Sequence, residues 1–291
     1  MMVREPMVAG QFYPAGREQC LKHIEALRPK TPFEGGPERP VGGILPHAGW
    51  VYSGATALAA LGAICARRTP RTFVIFGAVH TDAGRSGAVF PHGGWRTPLG
   101  LVEVDERLAR EVLARGPDLM TEDPEAHEDE HSIEVQLPFI QHLAPDARIL
   151  PIAVLPNEKA PAIGRLVGIV IQSLDADAVC LGSTDLTHYG TGYGFAPRGL
   201  GPAGIRWMRD ENDRRMLDLI ERLDAEAVVA EARRHRNACG AGAVAATLAA
   251  ARQLGAVRGH VVRYTTSYDV MREQMGREAA DMAVGYVGAV I

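Results

Sequence analysis

Three histidines stand just beyond apolar runs that read as buried strands. His47 follows Val41-Gly42-Gly43-Ile44-Leu45-Pro46, and His80 follows the run from Thr72 to Gly77. His188 follows Asp177 to Leu181, with Gly182-Ser183-Thr184-Asp185-Leu186-Thr187 between. Ligands of open α/β sheets bind outside the carboxyl ends of the strands. Histidine is the commonest metal ligand, and two histidines with one further donor leave coordination positions open to a substrate. Cys239 supplies that donor. Asn237-Ala238-Cys239-Gly240 opens an alanine-rich helix, and the N–H groups at a helix start favour the thiolate, the form that ligates metals or attacks carbonyls. The expected centre is therefore His47, His80 and Cys239 around one ion. Asp185 and His188 lie three residues apart; either Asp185 orients His188 as a general base near neutral pH, or it caps the local turn.

Two further signals bear on the same chemistry. His127-Glu128-Asp129-Glu130-His131 matches the HExxH pattern of zinc peptidases, which works only when a stable helix puts both histidines on one face. Here the segment follows Pro124, is heavily acidic and has no apolar stripe, so it reads as a solvated loop entering a helix. His131 is different, because the amphipathic run from Ser132 can aim it back at the strand ends. The remaining cysteines, Cys20, Cys65 and Cys180, read as small buried apolar residues. With no CxxC pair among the four, neither a disulfide scaffold nor a zinc ribbon is expected.

The elements that must position these residues alternate strand and helix along the 291 residues, which predicts one α/β domain over 1–291. Val3 to Pro14 reads as an ordered arm and Arg17 to Leu27 as a first helix. Strand Val41 to Leu45, a helix over Ala55 to Ala66 capped by Ser53, and strand Thr72 to Phe76 make a βαβ unit with parallel strands. If those strands are direct neighbours, they lie about 4.8 Å apart, and His47 and His80 converge on one ion. Short strands and turns fill Ser86 to Val104, and Asp105 caps a helix to Arg115. Strand Ile149 to Leu155 and helix Ala160 to Leu174 lead to the Asp177 to Leu181 strand. The glycine-rich stretch Tyr189 to Gly204 is placed where a lid would sit. Helices Arg209 to Arg222 and Ala225 to Arg234, the helix after Cys239, and strands Val261 to Thr265 and Ala283 to Val290 complete the chain.

Composition narrows the partners. A hydrophobic share of 46% with 23% charged residues is ordinary globular composition. A net charge of -4 gives no electrostatic reason to expect nucleic acid or an anionic membrane surface. No apolar run is long enough to span a bilayer and the N-terminus lacks a signal-peptide design, so a cytoplasmic protein is expected.

The motifs together resemble the Memo-like family, also called AmmeMemoRadiSam system protein B, which is similar in fold to class III extradiol (LigB-type) dioxygenases. The residues that carry the resemblance run from end to end: Val3-Arg4-Glu5-Pro6 with Ala9 to Pro14, Pro46-His47-Ala48-Gly49, Tyr52-Ser53-Gly54 and Gly77 to His80. They continue through Trp95 to Gly100, Glu128 to Glu134, Ser183 to Gly190 and Cys239-Gly240. The resemblance implies a single α/β domain with a mostly parallel central sheet flanked by helices. It implies that His47 and His80 match the two metal histidines of the dioxygenase site and that Cys239 stands where those enzymes place a carboxylate. His188 matches the active-site base with Asp185 beside it, and His131 looks like the second-sphere histidine. A thiolate is softer than a carboxylate and suits iron, copper or zinc. The family name also implies an association with a radical SAM protein.

Three function classes follow. The first is a metal-dependent redox enzyme acting on a small molecule, with iron or copper at His47, His80 and Cys239. The second is a metal-free hydrolase or amidase using Cys239, His188 and Asp185. The third is a module that binds a peptide or partner protein in the same crevice.

Overall fold

The computed structural model describes residues 2–80, 86–276 and 281–291. Its strands are β1 (Val3–Arg4), β2 (Gly42–Leu45), β3 (Thr72–Gly77), β4 (Gly87–Val89), β5 (Gly94–Thr97) and β6 (Gly100–Glu103), followed by β7 (Thr121–Glu122), β8 (Arg148–Val154), β9 (Ala178–Ser183), β10 (His188–Gly190), β11 (His260–Thr266) and β12 (Met282–Val290). The main sheet runs β10-β12-β2-β9-β3-β8-β4-β7, with β11 paired to β12. Its centre, β2-β9-β3-β8, is parallel, while β4 and β12 join it antiparallel. A small second sheet, β1-β5-β6, carries the N-terminal arm.

The central strands are apolar along their interiors because both faces are covered, as parallel sheets require. In β3, Phe73 and Ile75 face the layer of helices Arg17–Leu27 and Trp50–Cys65. Val74 and Phe76 face the opposite layer, which includes Ala160–Ser173 and Ala241–Gln253. The latter two pack closely through small residues: a Cβ on Gly164 would stand 1.9 Å from the Ala246 carbonyl oxygen.

One expectation about the sheet is corrected. β2 and β3 are parallel but not neighbours; β9 lies between them and pairs with both. Two strand spacings of about 4.8 Å separate them, so the turns after β2 and β3 must lean inward over the end of β9. Ser53 is not a cap. The helix begins at Trp50, and Ser53, in its first turn, donates its hydroxyl to the Ala48 carbonyl at 2.9 Å. Burial of Trp50 draws the start forward from the expected Ala55 to Trp50: its indole stacks on Phe139 at 4.1 Å and donates to the Val135 carbonyl at 3.0 Å.

The first helix occupies Arg17–Leu27, as its spacing predicts. The expected Arg209 to Arg222 helix starts earlier, at Pro202, and passes through a π turn at Met208–Asp213 before continuing to Arg222. A helix at Ser267–Met275 was not expected; Thr266 and Asp269 cap it reciprocally. Among the described residues, no helix is long and apolar enough to cross a membrane.

Candidate metal centre and its cleft

The turn after β2 brings His47 over the end of β9, where its backbone N–H donates to Asp185 Oδ1 at 2.8 Å. The tautomer of His47 follows from its neighbours. The Ser183 hydroxyl has one proton and gives it to the Ser132 carbonyl at 2.8 Å, because a carbonyl can only accept. His47 Nδ1, 3.0 Å from Ser183 Oγ, must therefore be the donor of that pair. The inward Nε2 then faces Cys239 Sγ at 3.1 Å.

His80 is held by a carboxylate instead. Its backbone N–H donates to Glu130 Oε2 at 2.9 Å, and its Nδ1 lies 3.2 and 3.0 Å from the two carboxylate oxygens. Glu130 also accepts the Ser132 N–H at 2.8 Å. Burial opposes ionisation of Glu130, but the bond to His80, its charge and these N–H groups hold the carboxyl well below the usual range. Burial likewise opposes the His80 cation, but hydrogen bonds with Cys239 and Glu130 raise its pKa to about 10.

His131 completes the cluster. One ring nitrogen from each of His47, His80 and His131 lies within 4.8 Å of the others. The His80 and His131 rings stack at 5.1 Å, and Phe12 packs edge-on to His131 at 4.9 Å. Burial, then the positive charge of His47, lowers the His131 pKa to about 4, so this ring is neutral near pH 7. Cys239 adjoins the cluster through His47 and His80. Burial works against its thiolate, but the His47 charge and hydrogen bonds from both imidazoles lower the pKa to about 6. The Asp185 N–H adds a donor 3.2 Å from Sγ. Cys239 precedes the helix Ala241–Gln253 by two residues, so the expected help from helix N–H groups is supplied by these side chains and by Asp185. Gly240 makes the approach possible: a Cβ there would stand 2.1 Å from the Ser183 carbonyl oxygen.

Asp185 is buried, which raises its pKa, and it accepts the backbone N–H groups of His47 and Ala48. It does not orient His188 by a hydrogen bond. His188 Nδ1 donates to the Leu186 carbonyl at 3.1 Å, which leaves Nε2 as the ring's free end. Both residues line a cleft of about 590 Å³ together with His47, His80 and His131. Its walls include Phe12, Tyr52, Tyr193 and Tyr286. Of the expected lid, Tyr193 reaches this cleft.

The HExxH pattern forms no helix with both histidines on one face, but the expectation of a solvated loop is corrected: His127 and Glu130 are buried because each finds polar partners inside. Residues Glu125–His127 form a single 3₁₀ turn, and His127 is fully buried against Phe90 and Trp95. Its Nε2 donates to the Ala88 carbonyl at 3.0 Å. The neighbouring residues explain the rest of that motif. Ser132 Oγ accepts the Ala78 N–H at 3.0 Å, and Glu134 pins the N-terminal arm through Arg4, Met7, Val8 and Tyr13. Sequence reasoning missed the structural roles of Glu130 and Ser183, and it missed the helix that brings Ser267 and Met271 to the cleft. A Thr-x-x-Asp capping signal before that helix was available.

The family of Memo-like proteins matches residues 4–290. A MEMO1 family protein of Pyrococcus abyssi is 38% identical over 299 residues, covering 100% of this chain and 99% of that protein. One from Methanopyrus kandleri is 35% identical over 300 residues, covering 99% of both. The crystal structure of uncharacterized protein JW3007 from Escherichia coli K12 shares the fold, with a TM-score of 0.54 at 13% identity over 87% of this chain and 100% of that one. A match that runs from the arm at Arg4 to the last residue of β12, through every strand end that builds the cleft, makes this chain a member of the Memo-like protein family.

Proposed function

We propose that the chain is a metal-dependent redox enzyme in which His47, His80 and Cys239 hold iron or copper, with His131 beside them and His188 as the acid/base group. The observation that carries this reading is the outward anchoring of two imidazoles. Ser183 and Glu130 occupy Nδ1 of His47 and His80, which leaves Nε2 of each for an ion next to a thiol of depressed pKa. Outer partners of this kind orient metal-bound histidines. Imidazole and thiolate donors suit iron, copper or zinc and disfavour magnesium or calcium. A bound ion would supply Lewis acidity and redox capacity at the cleft floor. His188 would take a proton at Nε2 from a substrate hydroxyl, and the aromatic walls would hold the substrate and exclude water. Metal content by mass spectrometry of anaerobically purified protein tests this. Near-stoichiometric iron or copper that falls in Cys239→Ser and His47→Ala supports it; no metal, and no uptake when iron, copper and zinc are offered, sinks it.

A second reading draws on the Cys239–His47 pair at 3.1 Å, the arrangement of a cysteine nucleophile with its base. In that case His47, not His188, is the base in contact with sulfur. A hydrolase of this kind predicts alkylation of Cys239 by iodoacetamide at a rate that chelator leaves unchanged.

A further inference from the structure

Helix Ala225–His235 ends at Arg236, which adopts φ +52°. This left-handed conformation brings Cβ against the following carbonyl in every residue but glycine. The side chain makes three contacts with one loop. Nη1 donates to the Gly194 carbonyl at 3.1 Å, Nη2 donates to the Tyr193 carbonyl at 3.2 Å, and the guanidinium lies 4.8 Å over the Phe195 ring. That loop contains Gly190, Gly194, Gly199 and Gly201, all at positive φ; Gly190 and Phe195 exchange backbone hydrogen bonds at 2.8 and 3.2 Å that close its first turn, and Arg236 ties the tip of that turn to the rest of the fold. Burial does not fix Tyr193, since it is 39% exposed. Yet its ring meets His188 in a T-shaped contact, with centroids 5.1 Å apart, and forms part of the cleft wall. A planar fork that binds two successive carbonyls fixes direction as well as distance.

We propose that Arg236 is a positioning residue, whose guanidinium, anchored three residues before Cys239, holds the Tyr193 ring against His188 and so fixes the wall beside the acid/base group. The inference rests on the reading of His188 as that group. The alternative is that Arg236 merely caps its helix, and the two roles separate because glycine is the better residue for a left-handed cap. Arg236→Gly relieves the backbone and removes the clamp in one substitution.

The test uses the whole protein, labelled at histidine and tyrosine and followed by NMR, with His188→Gln and Tyr193→Ala assigning the resonances. The expected result is an Arg236→Gly protein with a melting temperature at or above the parent's. Its His188 ring protons move to the positions they take in Tyr193→Ala. Arg236→Lys, which keeps one donor group, returns part of the shift. His188 signals unchanged in Arg236→Gly would overturn the proposal, as would a loss of fold in Arg236→Gly together with parental His188 signals in Arg236→Lys. If the signals move as expected but His188→Gln keeps the parent's turnover, the acid/base reading of His188 fails while the positioning of Tyr193 stands.

Discussion

At His47 the placement of one proton decides what the side chain can bind. Ser183 has already given its hydroxyl hydrogen to Ser132, so the imidazole must donate outward from Nδ1. Ser183→Ala removes that constraint, and loss of such an outer partner typically costs about 10–100-fold in metal affinity. Competition titration with a coloured zinc chelator would measure it. Proton release gives a second check. At pH 7.5 Cys239, with a pKa near 6, is already ionised, whereas His80, raised to about 10, still carries the proton an ion must displace. Metal binding should therefore release at least one proton per ion at pH 7.5 and more below pH 5, where the thiol is also protonated. Calorimetry in buffers of different ionisation enthalpy reads this number; a value that does not change with pH would refute the assigned ligands. The placement of His47, His80 and His188 beyond strand ends, and of Cys239 just ahead of a helix, was legible in the sequence. The roles of Ser183 and Glu130 were not, because a serine at a strand end or a glutamate in a loop shows its partner only once distant segments have met.

The π turn at Met208–Asp213 ties together the two segments that carry His188 and Cys239. Asn212 Nδ2 donates to Thr187 Oγ1 and to the His235 carbonyl, both at 2.9 Å, and Asn237 Nδ2 donates to the Asn212 carbonyl at 2.9 Å. Asp213 is fully buried and accepts the Thr187 N–H at 3.0 Å and the Tyr264 hydroxyl at 2.7 Å. Burial raises its pKa from 3.8 to about 7, against these hydrogen bonds. A raised folded pKa means that the native state holds a proton that the unfolded chain has released. Its contribution is thus complete below about pH 4 and is lost as the pH rises through about 7. Stability from urea unfolding should fall between pH 5 and 7 with a component of up to about 1.4 kcal/mol per pH unit from this group. Asp213→Asn should remove that component; an identical slope in parent and variant would show that the carboxyl titrates normally. Helix boundaries were legible where a polar cap coincided with an apolar stripe, as at Asp105, and where the stripe alone was clear, as at Arg17–Leu27. They were not where a tertiary contact took over, as when burial of Trp50 moved a helix start ahead of Ser53. A π turn has no local signature, so it was invisible.

On the scale of the whole chain, the alternation of apolar strands and helices gave the layers, but not the insertion of β9 between β2 and β3. Pairing across more than a hundred residues leaves no trace in local periodicity, and it is this insertion that puts Asp185 and Cys239 between the two strand ends bearing His47 and His80. The N-terminal arm closes the other side of the cleft with Phe12, and its anchor is a buried ion pair. Arg4 Nη1 lies 2.8 Å from Glu134 Oε2, with side-chain exposures of 3% and 0%. Arg4 also donates to the His127 and Glu130 carbonyls at 2.7 and 2.8 Å, so the arm braces the segment that presents Glu130 and His131. Glu134→Ala strands a buried guanidinium and frees the N–H groups of Met7 and Val8 and the Tyr13 hydroxyl at once. Breaking one side of such a pair costs about 3–5 kcal/mol, so a marked fall in urea midpoint is expected. Glu134→Gln, which keeps an acceptor for Tyr13 or Val8, should lose less. The arm should also become the first site of chymotrypsin cleavage, after Phe12, while the central sheet stays protected. Cleavage elsewhere first, or a midpoint within error of the parent's, would mean that the arm is held by its packing on Trp50 and His131 and not by the Arg4–Glu134 pair.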